Sequence, residues 1–218
     1  MSDFVYAPPV MAELPLVYQD AALLVLNKPS GLLSVPGRGP ERQDCLATRV
    51  QKRFPDALTV HRLDLETSGL IVMARGKAMQ AALSKLFEMR QVEKTYIARV
   101  LGHIPAQGWV NLPLLVDWPR RPRQAVNFSE GRPALTHYLR RSYDAITHTS
   151  CVLLKPVTGR SHQLRVHLMA LGYPIMGDSL YAPPENLSER LMLHAQTLIF
   201  PHPVSGKPLS FFVPAVFE

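Results

Sequence analysis

At 218 residues the chain suits one domain, residues 1–218, because cores usually divide only beyond roughly 250–300 residues. A hydrophobic fraction of 47% with 19% charged residues excludes an intrinsically disordered chain. Lys and Arg number 24 against 17 Asp and Glu, a formal charge of +7, which favours a polyanionic partner, nucleic acid first, although mild basicity is also common in proteins that bind none.

The chain has two cysteines, Cys45 and Cys151, without C-x-x-C spacing, which argues against a disulfide framework or a zinc cluster. Free thiols in a reducing compartment are the expectation. The first fifteen residues carry acids and prolines where a signal peptide needs a basic start and an apolar core, and no apolar run of about 18 residues occurs. A soluble, cytoplasmic, unanchored protein is expected.

Residues 14–26 read as a strand pair that stops at Lys28-Pro29-Ser30-Gly31, where Gly and Pro continue a loop to about Pro40 that Arg38 and Arg42 leave basic. A helix is expected from Asp44 as N-cap to Phe54, ended by Pro55. Leu58 to Leu63 and Leu70 to Ala74 are β-rich, with Glu66-Thr67-Ser68-Gly69 as a tight turn between them. Residues 77–90 form a helix with an apolar stripe at Ala78, Ala82, Leu86 and Met89, and Lys94 to Val100 alternates as a strand.

The run DWPRRPR (117–123) is an exposed basic loop, since its prolines disfavour a central strand. Strands are expected at 135–143 and 150–157, then a helix from Ser161 to Leu171 with Leu164, Leu168 and Leu171 in the core, then strands near 191–200 and 208–213. Strands outnumber helices without alternating with them, so the class is α+β with a central mixed, largely antiparallel sheet and flanking helices.

The most informative run is HRLDLETSG (61–69). In an extended segment, Arg62 and Asp64 share one face while Leu63 points the other way into the core. That is compatible with a surface ion pair beside a turn, or with a reactive carboxylate next to a base-sized cation. A second run, TGRSHQLRVH (158–167), puts Arg165 near the edge of a buried helix face, suited to pairing with a carboxylate from elsewhere or to a solvated edge. His162 and His167 are five apart, whereas two ligands on one helical face stand roughly three or four apart, so no metal site is expected. No phosphate-binding loop or nucleophile elbow is present, and no cofactor is implied.

HRLDLETSG resembles the signature of the RluA-type pseudouridine synthases. NKPSGLLSVPG (27–37), KTYIARV (94–100), GRSHQLRVH (159–167) and PIMGDSLY (174–181) fall in the same family's order. The whole chain resembles the family's dual-specificity enzymes, which act on 23S rRNA and tRNA. The resemblance implies that Asp64 is the catalytic aspartate, Arg62 takes the place of the flipped-out base, Tyr96 lies against the target base, and Arg165 pairs with Asp64. It implies a central mixed sheet and no cofactor or metal, and the chain departs from larger family members in lacking residues for an N-terminal S4-type domain.

The implied chemistry suits these residues. The uridine N1–C1′ bond must break, the uracil turn, and C5 join C1′ through an electron-poor sugar. Asp64 has two routes, attack on C1′ or removal of the C2′ proton. The target must leave its stack, with Arg62 filling the gap, His61 beside it, and Arg38, Arg42, Arg120, Arg121 and Arg123 contacting phosphates. Structured RNA, 23S rRNA and tRNA stem-loops, is the expected partner, of a monomer with no obligatory protein partner. The alternatives are a noncatalytic basic RNA-binding module, which leaves Asp64 unexplained, and a glycosidase- or nucleosidase-like hydrolase, for which Glu66 or Asp178 would be the second carboxylate.

Overall fold

The structure is a computed structural model and describes residues 5–186 and 188–217. It divides into two compact units, the described parts of Met1–Val92 with Thr197–Val213, and of Glu93–Gln196 with Pro214–Glu218.

The first unit contains β1 (Leu16–Gln19), β2 (Leu23–Lys28), α1 (Leu46–Gln51), β3 (Ala57–Thr59), β4 (Ser68–Arg75) and α2 (Gly76–Glu88). β2 and β4 are near-continuous apolar runs buried on both faces, the mark of strands with neighbours above and below. They pair antiparallel from Leu23↔Ala74 to Lys28↔Gly69. β1 adds to β2 and β3 to β4, also antiparallel. β11 (Leu193–Pro201) starts in the second unit, and its last five residues pair here with β12 (Pro208–Phe212). Leu23, Val25, Leu70, Val72, Leu83, Leu198 and Phe200 make the core.

The second unit contains β5 (Glu93–Leu101), β6 (Gln107–Asn111), β7 (Leu114–Val116), β8 (Gln124–Val126), β9 (Leu135–Asp144), β10 (Thr149–Pro156) and α3 (Gln163–Ala170). β10 lies between β5 and β9, β6 extends β9, and every one of these pairings is antiparallel. β7 and β8 form a separate hairpin. Leu164 and Leu168 of α3 join Ala98, Val100, Val152 and Leu154 in the core, with Leu171 packed against it. The α+β class stands, with a mixed sheet in which the pairings given above are antiparallel.

Three local expectations shift. The first helix is capped by Cys45, not Asp44: Cys45 and Thr48 form a reciprocal capping box, while the Asp44 carboxylate is taken by Arg49 at 2.7 and 2.6 Å. In α2 the inward face is Met79, Leu83, Leu86 and Phe87, whereas Ala78 is exposed and Met89, also exposed, lies at the C-cap beyond the last helical residue. The turn after the motif is Asp64–Thr67, closed by the Thr67 N–H on the Asp64 carbonyl at 3.2 Å. Ser68 and Gly69 already belong to β4, where Gly69 has a φ of 114° that a side chain would strain.

Candidate active site

Residues 60–67 link β3 to β4 without regular structure. Their side chains alternate as the extended spacing predicts: Arg62 exposed, Leu63 buried, Asp64 half-buried. A lone loop could not hold a carboxylate in one place, and here the preceding loop braces it. The Ser34 hydroxyl donates to the Leu63 carbonyl at 2.7 Å and accepts the Leu63 N–H at 3.1 Å. The Leu65 carbonyl accepts from the Gly31 N–H at 3.0 Å, and the Ser30 hydroxyl donates to the Glu66 carbonyl at 2.6 Å.

Lys28 closes this brace. It ends β2, has no exposed surface, and its ammonium donates to the carbonyls of Pro29, Leu32 and Leu65 at 2.9, 2.7 and 3.1 Å. A buried charge is tolerated only with such compensation. Sequence reasoning missed Lys28, Ser30 and Ser34. The available signal was a lysine closing a near-continuous apolar strand directly before Pro-Ser-Gly.

His61 serves the same loop. Its Nε2 accepts the Val72 N–H at 3.0 Å, which leaves the proton of a neutral ring on Nδ1, and the ring stacks on Phe87 with centroids 4.5 Å apart. Its place is therefore structural as well as adjacent to Arg62. Arg38 is exposed, and Arg42 lies 3.6 Å from Glu41.

In the second unit, Tyr96 sits on β5 opposite Leu154 of β10, half-buried against the core. Arg165 is on α3. Its Nε and Nη2 each stand 2.7 Å from a different oxygen of Asp178, and both side chains are buried. Asp178 Oδ1 also accepts the N–H groups of Leu180 and Tyr181 at 3.0 and 3.1 Å. The resemblance names Asp64 as the partner of Arg165; within its own unit the bidentate partner is Asp178. So engaged, Asp178 is unsuited to be the acid of a hydrolase.

The GRSHQ turn that presents Arg165 is tied internally. Gln163 Oε1 accepts from the Thr158 hydroxyl and the Arg160 N–H at 2.7 and 3.0 Å, and its amide donates to the Leu135 carbonyl and the Thr136 hydroxyl, each at 3.0 Å. His162 takes a left-handed φ of 54° and meets the Tyr181 hydroxyl through Nδ1 at 2.8 Å, while Arg165 lies over the Tyr181 ring at 5.3 Å. His167 is buried with Nε2 on the Leu112 carbonyl at 3.0 Å and Nδ1 on the Thr136 hydroxyl at 2.9 Å. Burial holds its pKa below the ordinary value, opposed by the bond to Leu112. The two histidines thus point to separate partners, and among the described residues no three His, Cys, Asp or Glu side chains gather as a metal would need.

The expected basic loop is a turn at the tip of the β7–β8 hairpin, with residues 118–122 exposed. Arg120 is engaged by Asp117 at 2.7 Å, Arg121 lies on Trp118, and Arg123 is half-buried. No helix among the described residues is long and apolar enough to cross a membrane.

Comparison with known proteins shows the family of the chain. The sequence model described as RNA pseudouridylate synthase matches residues 22–170. The Dual-specificity RNA pseudouridine synthase RluA of Escherichia coli strain K12 is 51% identical over 215 residues, 97% of this chain and 98% of that protein. The protein of the same name from Vibrio parahaemolyticus is 49% identical over 218 residues, 97% of this chain and 87% of that one. Among solved structures, Human RNA Pseudouridylate Synthase Domain Containing 1 superposes with a TM-score of 0.80 at 30% identity, covering 97% of this chain and 87% of that one. The matched span holds Asp64, Tyr96 and Arg165 within the folds just described, and the chain belongs to the RNA pseudouridylate synthase family.

Proposed function

We propose that this RNA pseudouridine synthase uses Asp64 as its reacting carboxylate on uridines of structured RNA loops, in both 23S rRNA and the tRNA anticodon stem-loop, in the cytoplasm and as a monomer. The bracing of the Asp64 loop by Lys28, Ser30, Gly31 and Ser34 supports this role most directly. A carboxylate that attacks or deprotonates a ribose gains from being held in place before substrate arrives.

The remaining roles follow from side-chain chemistry. Exposed Arg62 fills the stack that the target uridine leaves, and His61 fixes the backbone beside it. Arg165 is assigned as the cation for the reacting carboxylate, its own position set by the Asp178 fork. The N1–C1′ bond breaks, the uracil turns and C5 bonds to C1′; in the closing tautomerisation the Tyr96 hydroxyl gives its proton to N1 and takes the C5 proton in exchange. Arg38, Arg42, Arg120, Arg121 and Arg123 contribute phosphate attraction. Specificity for two RNAs is supported by the similarity over 97% of this chain to relatives that are themselves Dual-specificity RNA pseudouridine synthases.

The test is pseudouridine mapping after incubation of the purified protein with 23S rRNA and tRNA transcripts. Pseudouridine in both transcripts is expected. Modification of one alone ends the dual assignment, and release of free uracil would instead mark a hydrolase. Substrate deuterated at C2′ separates the two routes open to Asp64, since a rate effect arises only where that proton is removed.

A further inference from the structure

The hairpin tip in the second unit carries an aromatic side chain that core packing does not account for. Trp118 is 62% exposed, although it stands in a stiff turn. The Arg120 N–H donates to the Asp117 carbonyl at 3.0 Å, the Arg123 N–H to the Arg120 carbonyl at 3.1 Å, and the Asp117 N–H to the Arg123 carbonyl at 2.9 Å. Three cross-strand pairs from Leu114↔Val126 to Val116↔Gln124 continue below it. The hairpin is moored at its base: the Gln124 N–H donates to the Tyr181 hydroxyl at 2.7 Å, and Leu114 and Val126 pack with Val166 and Met169 of α3.

On this turn the Arg121 guanidinium lies over the indole, 4.2 Å from the ring centroid. Arg120 is balanced by Asp117, which leaves Arg121 beside the ring and Arg123 further along the same turn as net positive charge. A rigid, broad π surface flanked by cations fits a nucleobase joined to phosphates, because the base can stack while the phosphates meet the arginines. A turn that is already ordered loses little freedom on binding.

We propose that Trp118, with Arg121 set against it, is a stacking platform for an unpaired nucleobase of the substrate RNA, a second base distinct from the target uridine. The proposal rests on the RNA-modification reading above and adds a contact to it. Stacking tolerates any base, since every base has a π face, so one platform can serve two RNAs of different sequence. Specificity for the target then lies elsewhere.

The experiment uses the full chain and an RNA stem-loop that the wild-type protein converts. The sequence holds two tryptophans, so in Trp109→Phe the emission comes from Trp118 alone; that emission is expected to change on RNA binding and to saturate with it. Trp118→Ala should raise Kd about tenfold, the usual worth of one base–aromatic stack, with a smaller change in the single-turnover rate at saturating RNA. Trp118→Tyr should keep most of the affinity. The slope of log affinity against log salt should persist in Trp118→Ala and flatten in the double replacement of Arg121 and Arg123 by Ala. A Trp118→Ala affinity within about twofold of wild type, or unchanged Trp118 emission at saturating RNA, overturns the platform while wild-type conversion leaves the enzymatic reading intact. If wild type converts no RNA, the parent reading falls first.

Discussion

Arg165 and Asp178 meet in the second unit as a fork on a carboxylate, with Nε and Nη2 each 2.7 Å from a separate oxygen and side chains 3% and 0% exposed. Removing one partner strands a buried charge. Asp178→Asn is expected to destabilise the protein by about 3–5 kcal/mol in urea unfolding. Replacing both, Arg165→Met with Asp178→Leu, should recover much of that stability but not the activity, since the cation proposed for the reacting carboxylate is removed. A single-mutant cost below about 1 kcal/mol contradicts the pairing as drawn.

Lys28 offers a different separation of stability from chemistry. Lys28→Met leaves the carbonyls of Pro29, Leu32 and Leu65 without this donor, which should cost about 1–3 kcal/mol or more. The looser Asp64 loop should lower turnover on the order of 10²-fold with RNA affinity nearly kept, because misplacement of a reacting group is expensive. Wild-type turnover in a folded Lys28→Met protein would show that the brace has no part in catalysis.

The alternation of Arg62, Leu63 and Asp64 was legible in the sequence, because period-two spacing at a strand end dictates which side chain turns inward. The long strands were legible for the same reason. Asp178 as the partner of Arg165 was not, since nothing local to PIMGDSLY says which cation its carboxylate meets. β6, β7 and β8 escaped because strands of three to five residues carry too little pattern. In α2 two stripes one residue apart both fit a helical period, and only packing chose between them.

His167 gives the pH dependence of folding. Its buried ring keeps its pKa below the ordinary 6.5, burial being the main cause. Above the unfolded value both states hold the ring neutral, and its contribution to stability is complete. As pH falls below about 6.5 the unfolded chain takes up a proton that the folded one refuses, so stability is lost progressively towards the folded pKa. The melting temperature should therefore drop between about pH 7 and pH 5, and His167→Gln should flatten that drop. Equal slopes in the two proteins would contradict this origin.

Tyr96 separates two roles. If its hydroxyl takes the C5 proton, Tyr96→Phe should lose on the order of 10²–10⁴-fold in the chemical step with little change in binding. If its ring alone serves, Phe should retain near-normal turnover and Leu should weaken base capture by about 1–3 kcal/mol. The hydroxyl role is the one proposed here, and single-turnover measurement on a short stem-loop with near-wild-type chemistry in Tyr96→Phe would eliminate it.

The most direct measurement is pseudouridine formation by Asp64→Asn on an RNA stem-loop that the wild-type protein converts, followed alongside RNA affinity. The substitution keeps the shape of the side chain within its braced loop and removes the carboxylate proposed to attack C1′ or take the C2′ proton. RNA binding close to wild type with no detectable pseudouridine is the expected result. Turnover at even about a tenth of the wild-type rate would contradict the assignment of Asp64 as the reacting group, because loss of an essential nucleophile or base costs orders of magnitude more.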